Sequence, residues 1–251
     1  MRIFRIVVLL ALVAGCSSTP SYSAPAVSPA VSPVVSSAPA PTRGPATVDV
    51  PVIRYPVEGG GQFDFAQAAG PVVGGKGTLL SYRVGVERGI TGVDAATFGD
   101  AVELIYADTR SWPATGNWRL RRAGQGERFD YTIYLATPAT RDVLCGNGYD
   151  RYTSCRNGNT VVVNVARWAR GIPGYGADLT AYRQYVVNHE TGHRLGRGHE
   201  LCPGPGRPAP VMQQQTLGLH GCVANPWPIV DGRPYAGRSG QYNDPTPEES
   251  P

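Results

Sequence analysis

His189-Glu190-Thr191-Gly192-His193-Arg194-Leu195-Gly196-Arg197-Gly198-His199 is the stretch whose reading decides the fold of this 251-residue chain. It holds three of the four histidines in the sequence. On a helix, positions i and i+4 share a face one turn apart. His189 and His193 can therefore offer two imidazole nitrogens to one metal ion. Glu190 falls on the adjacent face, within reach of a water beside that ion without being a ligand. A helix that continued straight would carry His199 away. Gly196 tolerates the left-handed backbone that stops a helix and turns the chain back, and Gly198 adds freedom. His199 can then swing in as a third nitrogen. Three protein ligands leave one tetrahedral position open, the pattern of a catalytic rather than a structural zinc.

The string resembles the H-E-x-x-H-x-x-G-x-x-H signature of the metzincin metalloproteases. The resemblance implies one catalytic Zn2+ held by His189, His193 and His199, with Glu190 as general base. It also implies a methionine in a tight turn beneath the metal. Of the two methionines, one opens the chain, and Met212 in Pro210-Val211-Met212-Gln213-Gln214 suits that turn. Some metzincins carry a tyrosine two residues after this methionine, near the developing oxyanion; here the position is Gln214, whose amide can donate a hydrogen bond instead. Glu200, directly after the third histidine, resembles the astacin branch; it reads equally well as a salt-bridge or solvated turn residue. From about Leu79 to Tyr235 the chain is similar to an uncharacterised family of secreted and lipid-anchored bacterial domains. Tyr185-Val186-Val187-Asn188-His189-Glu190 and Cys202-Pro203-Gly204-Pro205-Gly206 are the runs that carry that likeness.

The start of the chain reads as an export signal. Arg2 and Arg5 precede an apolar run, Ile6 to Ala14, too short to span a bilayer. Val13-Ala14-Gly15-Cys16 resembles a lipobox, which implies acylation of Cys16. Residues 1–15 are then a lipoprotein signal peptide. Residues 16–51 are rich in Pro, Ala, Ser and Val with almost no charge. They cannot bury a core and read as a disordered spacer. Residues 52–78 form an N-terminal extension with Gly-rich stretches, 79–238 the metzincin-like domain, and 239–251 a polar tail. The compact part is of a size to hold one core.

Charge is uninformative. The formal balance is +4, and loss of Arg2 and Arg5 brings it to about +2. No basic run with interleaved aromatics points to nucleic acid. Apart from Cys16, four cysteines remain: Cys145, Cys155, Cys202 and Cys222. An even number in an exported chain points to two disulfides. Of the three pairings, Cys145 with Cys155 and Cys202 with Cys222 close the shortest loops. The second would bracket Met212. A second metal site is disfavoured because there is no C-x-x-C pair.

Periodicity supplies the layout. Thr78–Glu87, Trp118–Arg122, Phe129–Leu135 and Val161–Trp168 read as strands, with Asn157-Gly158 as a hairpin turn. Asp94–Ser111 and Asp178–Leu195 read as helices capped by Asp94 and Asp178. The fold class is α/β (α+β): a metzincin-like zincin domain with a mixed twisted sheet, a backing helix, an active-site helix and a Met-turn. Asp150–Cys155 is the candidate edge strand lining the cleft, where a substrate strand could add. His220 reads as a surface residue ahead of Cys222.

The expected activity is zinc-dependent hydrolysis of peptide bonds by a monomer, lipid-anchored on the outer side of the cell membrane. Its partners are then a peptide or protein substrate and the membrane, through the anchor. Two other readings stand beside it: a catalytically silent metzincin-like binding protein of the envelope, and a hydrolase of cell-wall peptides. Glu190 favours an enzyme, because a binder has no use for a base there.

Overall fold

The computed structural model describes residues 51–247. The expected signal peptide, Cys16 and the spacer up to residue 50 lie outside them, as do the last four residues of the expected tail. Seven strands form one mixed sheet: β1 (Phe63–Phe65), β2 (Ala69–Val73), β3 (Thr78–Glu87), β4 (Trp118–Arg122), β5 (Tyr131–Ala136), β6 (Cys155–Asn157) and β7 (Thr160–Asn164). The order is β2-β4-β3-β5-β7-β6, with β1 beside the far half of β3. β3, β4, β5 and β7 run parallel, while β1, β2 and β6 pair antiparallel with their neighbours. Four helices accompany the sheet: α1 (Ala95–Ala107), α2 (Pro138–Cys145), α3 (Val165–Arg170) and α4 (Leu179–Arg194). A short hairpin of β8 (Ile229–Val230) and β9 (Arg233–Pro234) follows. Among the described residues no helix is long and apolar enough to cross a membrane.

The helices form for the reasons their sequences suggest. Asp94 caps α1, its Oδ1 accepting from Thr97 N at 2.7 Å. Phe98, Val102, Ile105 and Tyr106 then recur at helical spacing and are buried. Asp178 caps α4 in the same way, accepting from Ala181 N at 2.7 Å. Tyr182, Tyr185, Val186 and His189 make its buried stripe. α1 and α4 share the main core with Val84, Val86, Ile133, Leu135, Val161 and Val163 of the sheet. Val162 points to the other face, where it packs with Ala136 and Cys145. The run Val161-Val162-Val163 is thus buried on both faces, as a central parallel strand requires.

Several expectations need correction. The strand expected over Val161–Trp168 stops at Asn164, whose Oδ1 caps α3 by accepting from Ala166 N at 3.0 Å. The strand expected from Phe129 begins at Tyr131, and the helix expected to Ser111 ends at Ala107. α2 has no counterpart among the expected elements. The edge strand is Cys155–Asn157, not Asp150–Cys155. Strands β1 and β2 precede Leu79 yet belong to the sheet, so the compact part starts earlier than Leu79. Both disulfides, Cys145–Cys155 and Cys202–Cys222, are formed, with Cα atoms 6.1 Å and 5.9 Å apart.

Glu87, at the end of β3, ties the early segment to this frame. It is buried and accepts from Gly61 N at 2.8 Å, Thr137 N at 2.7 Å and Thr140 Oγ1 at 2.6 Å. Two of these donors lie at the start of α2, where a carboxylate also meets the positive end of the helix. Glu87→Ala strands these donors, and a loss of about 3 kcal/mol is expected. A urea melt should show a lowered midpoint; an unchanged midpoint would remove this tie from the fold.

Candidate metal centre

α4 presents His189 and His193 on one face, and the chain then reverses. Gly196 takes φ +85°. Arg197 N donates to Gly192 O at 2.9 Å and Gly196 N to His193 O at 3.1 Å. These are the two bonds of a Schellman stop, which needs a residue tolerant of the left-handed region. The reversal brings His199 back to α4. His193 Nε2 lies 3.2 Å from His189 Nε2 and 3.1 Å from His199 Nε2. All three ligand atoms lie within 4.8 Å of one another.

The other ring nitrogens decide what this trio can do. His189 Nδ1 lies 2.8 Å from Val211 O, and His193 Nδ1 lies 2.9 Å from Arg197 O. A carbonyl oxygen only accepts, so both Nδ1 atoms carry the proton. Burial, followed by the neighbouring imidazoles, drives the His189 pKa far below its ordinary value. Burial likewise takes His193 down to about 4. Neutral rings protonated at Nδ1 leave bare lone pairs on Nε2. Two such lone pairs face each other across 3.2 Å, a repulsive arrangement that a shared cation relieves. Nitrogens bound tetrahedrally to one zinc at about 2.0–2.1 Å stand about 3.3 Å apart. The donor set therefore fits a divalent metal of the zinc type, which His189, His193 and His199 would hold.

The three histidines and Glu190 line one cleft of about 710 Å³. Arg141, Asp150, Arg156, Tyr185 and Gln214 line it as well. Glu190 is 5 % exposed. Burial pushes its carboxyl up to about 8, against the pull of the Arg141 and Arg156 guanidiniums. A dication beside it would draw it back toward the charged form. Arg156 of β6 donates from Nη2 to His193 O at 2.9 Å, which joins the edge strand to the end of α4.

Met212 is buried directly beneath the motif. A Cβ built on Gly192 would lie 2.3 Å from Met212 Sδ and 2.8 Å from Trp112 Cζ2. Only glycine lets the turn at Met212 approach so closely, and that turn supplies Val211 O to His189. The glutamines around Met212 divide their work. Gln213 Nε2 donates to Gly218 O and Leu219 O at 3.0 and 2.9 Å. Gln215 Nε2 donates to Pro210 O and Asn225 O at 3.1 and 2.8 Å. Gln214 between them faces the cleft, with its Oε1 buried and unpartnered.

The contacts of several supporting residues carried no signal in sequence. Asn188 is held by Ser111 Oγ, donating to its Oδ1 at 2.8 Å, and by Trp112 Nε1, donating to its carbonyl at 2.8 Å. Thr191 Oγ1 pairs with Tyr106 OH of α1 at 2.7 Å. Glu200, directly after the third histidine, accepts from Gly237 N at 2.8 Å through Oε2, and so anchors the C-terminal segment. His220 stacks on Tyr242 with ring centroids 3.4 Å apart and pairs with Asp244 at 2.7 Å. Residues 240–244, within the expected polar tail, fold back onto the site, and Gln241, Tyr242 and Asp244 line the cleft. Their partners lie many residues away, and no local periodicity announces them.

A mixed α/β protein with a three-histidine candidate metal centre is the class that fold and site define. The chain belongs to DUF3152, a family described as a protein of unknown function, which it matches over residues 50–229. No curated protein and no solved structure matches it.

Gly192→Ala is expected to cost about 1–3 kcal/mol by overpacking. Because the clash falls on Met212, divalent-metal retention should drop along with the melting temperature. A variant with unchanged stability and metal content would refute the close approach.

Proposed function

We propose that the protein is a zinc-dependent peptide-bond hydrolase of metzincin type, tethered to the outer face of the membrane through acylated Cys16. The single observation that carries this reading is the convergence of three Nε2 atoms, two of them left as bare acceptors by the carbonyl partners of their Nδ1 atoms, with Glu190 in the same cleft. His189, His193 and His199 would hold the ion. Bound there, zinc supplies Lewis acidity, polarising a carbonyl and making water nucleophilic near neutral pH.

The chain's own residues do the rest. Glu190 takes the proton of the attacking water and hands it to the leaving amine nitrogen. β6 is the outermost strand on its side of the sheet, and its Cys155 and Arg156 line the cleft. Its outer edge, with no strand beside it among the described residues, is suited to hold an extended peptide by strand addition. Gln214 lines the cleft with an amide that can donate to an oxyanion. Two disulfides suit an oxidising, extracytoplasmic location.

Zinc-loaded protein is expected to cleave members of a mixed peptide library, and a chelator should abolish the cleavage. Glu190→Gln should retain the metal yet lose about 10²-fold or more in kcat. Chelator-insensitive cleavage, or full activity in Glu190→Gln, would refute the reading. Silence toward peptides with release of wall fragments would move the substrate to the cell wall.

A further inference from the structure

We propose that Gln241 is the positioning residue for His199, which makes the C-terminal segment Arg238–Asp244 a working part of the metal centre. This rests on the reading of the three histidines as ligands. His189 is fixed by α4 and by Val211 O, and His193 by α4 and by Arg197 O. His199 lies beyond the Schellman stop on backbone outside any helix or strand. Its Nδ1 is the one of the three that takes a side chain as partner, Gln241 Oε1 at 3.0 Å. To offer a lone pair at Nε2, His199 must carry its proton on Nδ1, and the amide oxygen of Gln241 is the acceptor that holds it there.

The segment that delivers Gln241 is seated at several points. Gly240 N donates to His199 O at 3.0 Å, and Leu201 N donates to Arg238 O at 2.9 Å. Gly237 N donates to Glu200 Oε2 at 2.8 Å. On the other side of Gln241, Tyr242 OH accepts from Cys202 N at 3.2 Å while its ring stacks on His220. Asp244 pairs with the same imidazole. Cys202 and the loop carrying His220 are joined by the Cys202–Cys222 disulfide. Gln241 is thus bracketed by contacts in a frame that is itself cross-linked. It lies outside the residues 50–229 that match the family.

The test is zinc affinity of the full chain, read by competition with a chromophoric chelator, together with the visible spectrum of the cobalt(II)-loaded protein. Gln241→Leu removes the acceptor from an exposed position and should leave the melting temperature of the metal-free protein unchanged. It should weaken zinc binding about tenfold and alter the cobalt spectrum. Gln241→Glu keeps an acceptor and should restore both. Parental affinity and an unchanged cobalt spectrum in Gln241→Leu would overturn the role of Gln241 while leaving the three-histidine reading intact. A parent protein that binds no zinc would overturn both.

Discussion

Three imidazole Nε2 atoms aimed at one point are the constraint on which the rest of this structure depends. Each ring is oriented from behind by a hydrogen bond at Nδ1, and the acceptors come from three separate places. Val211 O belongs to the turn at Met212, Arg197 O to the loop closing α4, and Gln241 Oε1 to the C-terminal segment. A single helix can set two of the rings. The third needs the chain to reverse and then a distant segment to hold it. Much of what lies beyond residue 195 serves that need.

The region from His199 onward contains little regular structure beyond the β8–β9 hairpin. Buried backbone groups still need partners, and without a ladder they find them in side-chain amides. Gln213, Gln215 and Asn225 fill that role around Met212. Asn225 Nδ2 donates to Ala209 O and Trp227 O at 2.9 and 3.0 Å, and Tyr175 OH donates to Gln215 Oε1 at 3.2 Å. Tyr185 of α4 joins the same network, donating to Gln213 O at 3.0 Å. The helix that carries two of the histidines is thereby fastened to the loop that orients one of them. The Cys202–Cys222 bridge adds about 2–4 kcal/mol of the same kind of restraint.

What could be read from the sequence was what local chemistry determines. The caps Asp94 and Asp178, the stop at Gly196, the strand Thr78–Glu87 and the histidine spacing all depend on neighbours a few residues away. The disulfide pairing followed because short loops are the easier ones to close. What escaped depends on distant partners. β1 and β2 sit in Gly-rich sequence and are strands because β3 and β4 offer them edges. The strand at Val161 gave way to a helix because Asn164 turns inward as a cap, which apolar periodicity cannot register. His220 is exposed, as expected, and Gln241 is exposed within the expected polar tail; what escaped are their pairings, because the partners Asp244 and His199 are 24 and 42 positions away.

The most direct measurement is zinc K-edge X-ray absorption on the full chain, loaded with zinc and freed of excess metal. The proposed centre predicts one zinc with three imidazole nitrogens and one further light atom at about 2.0–2.1 Å. Protein that retains no zinc, or zinc bound by fewer than three imidazoles, would contradict it.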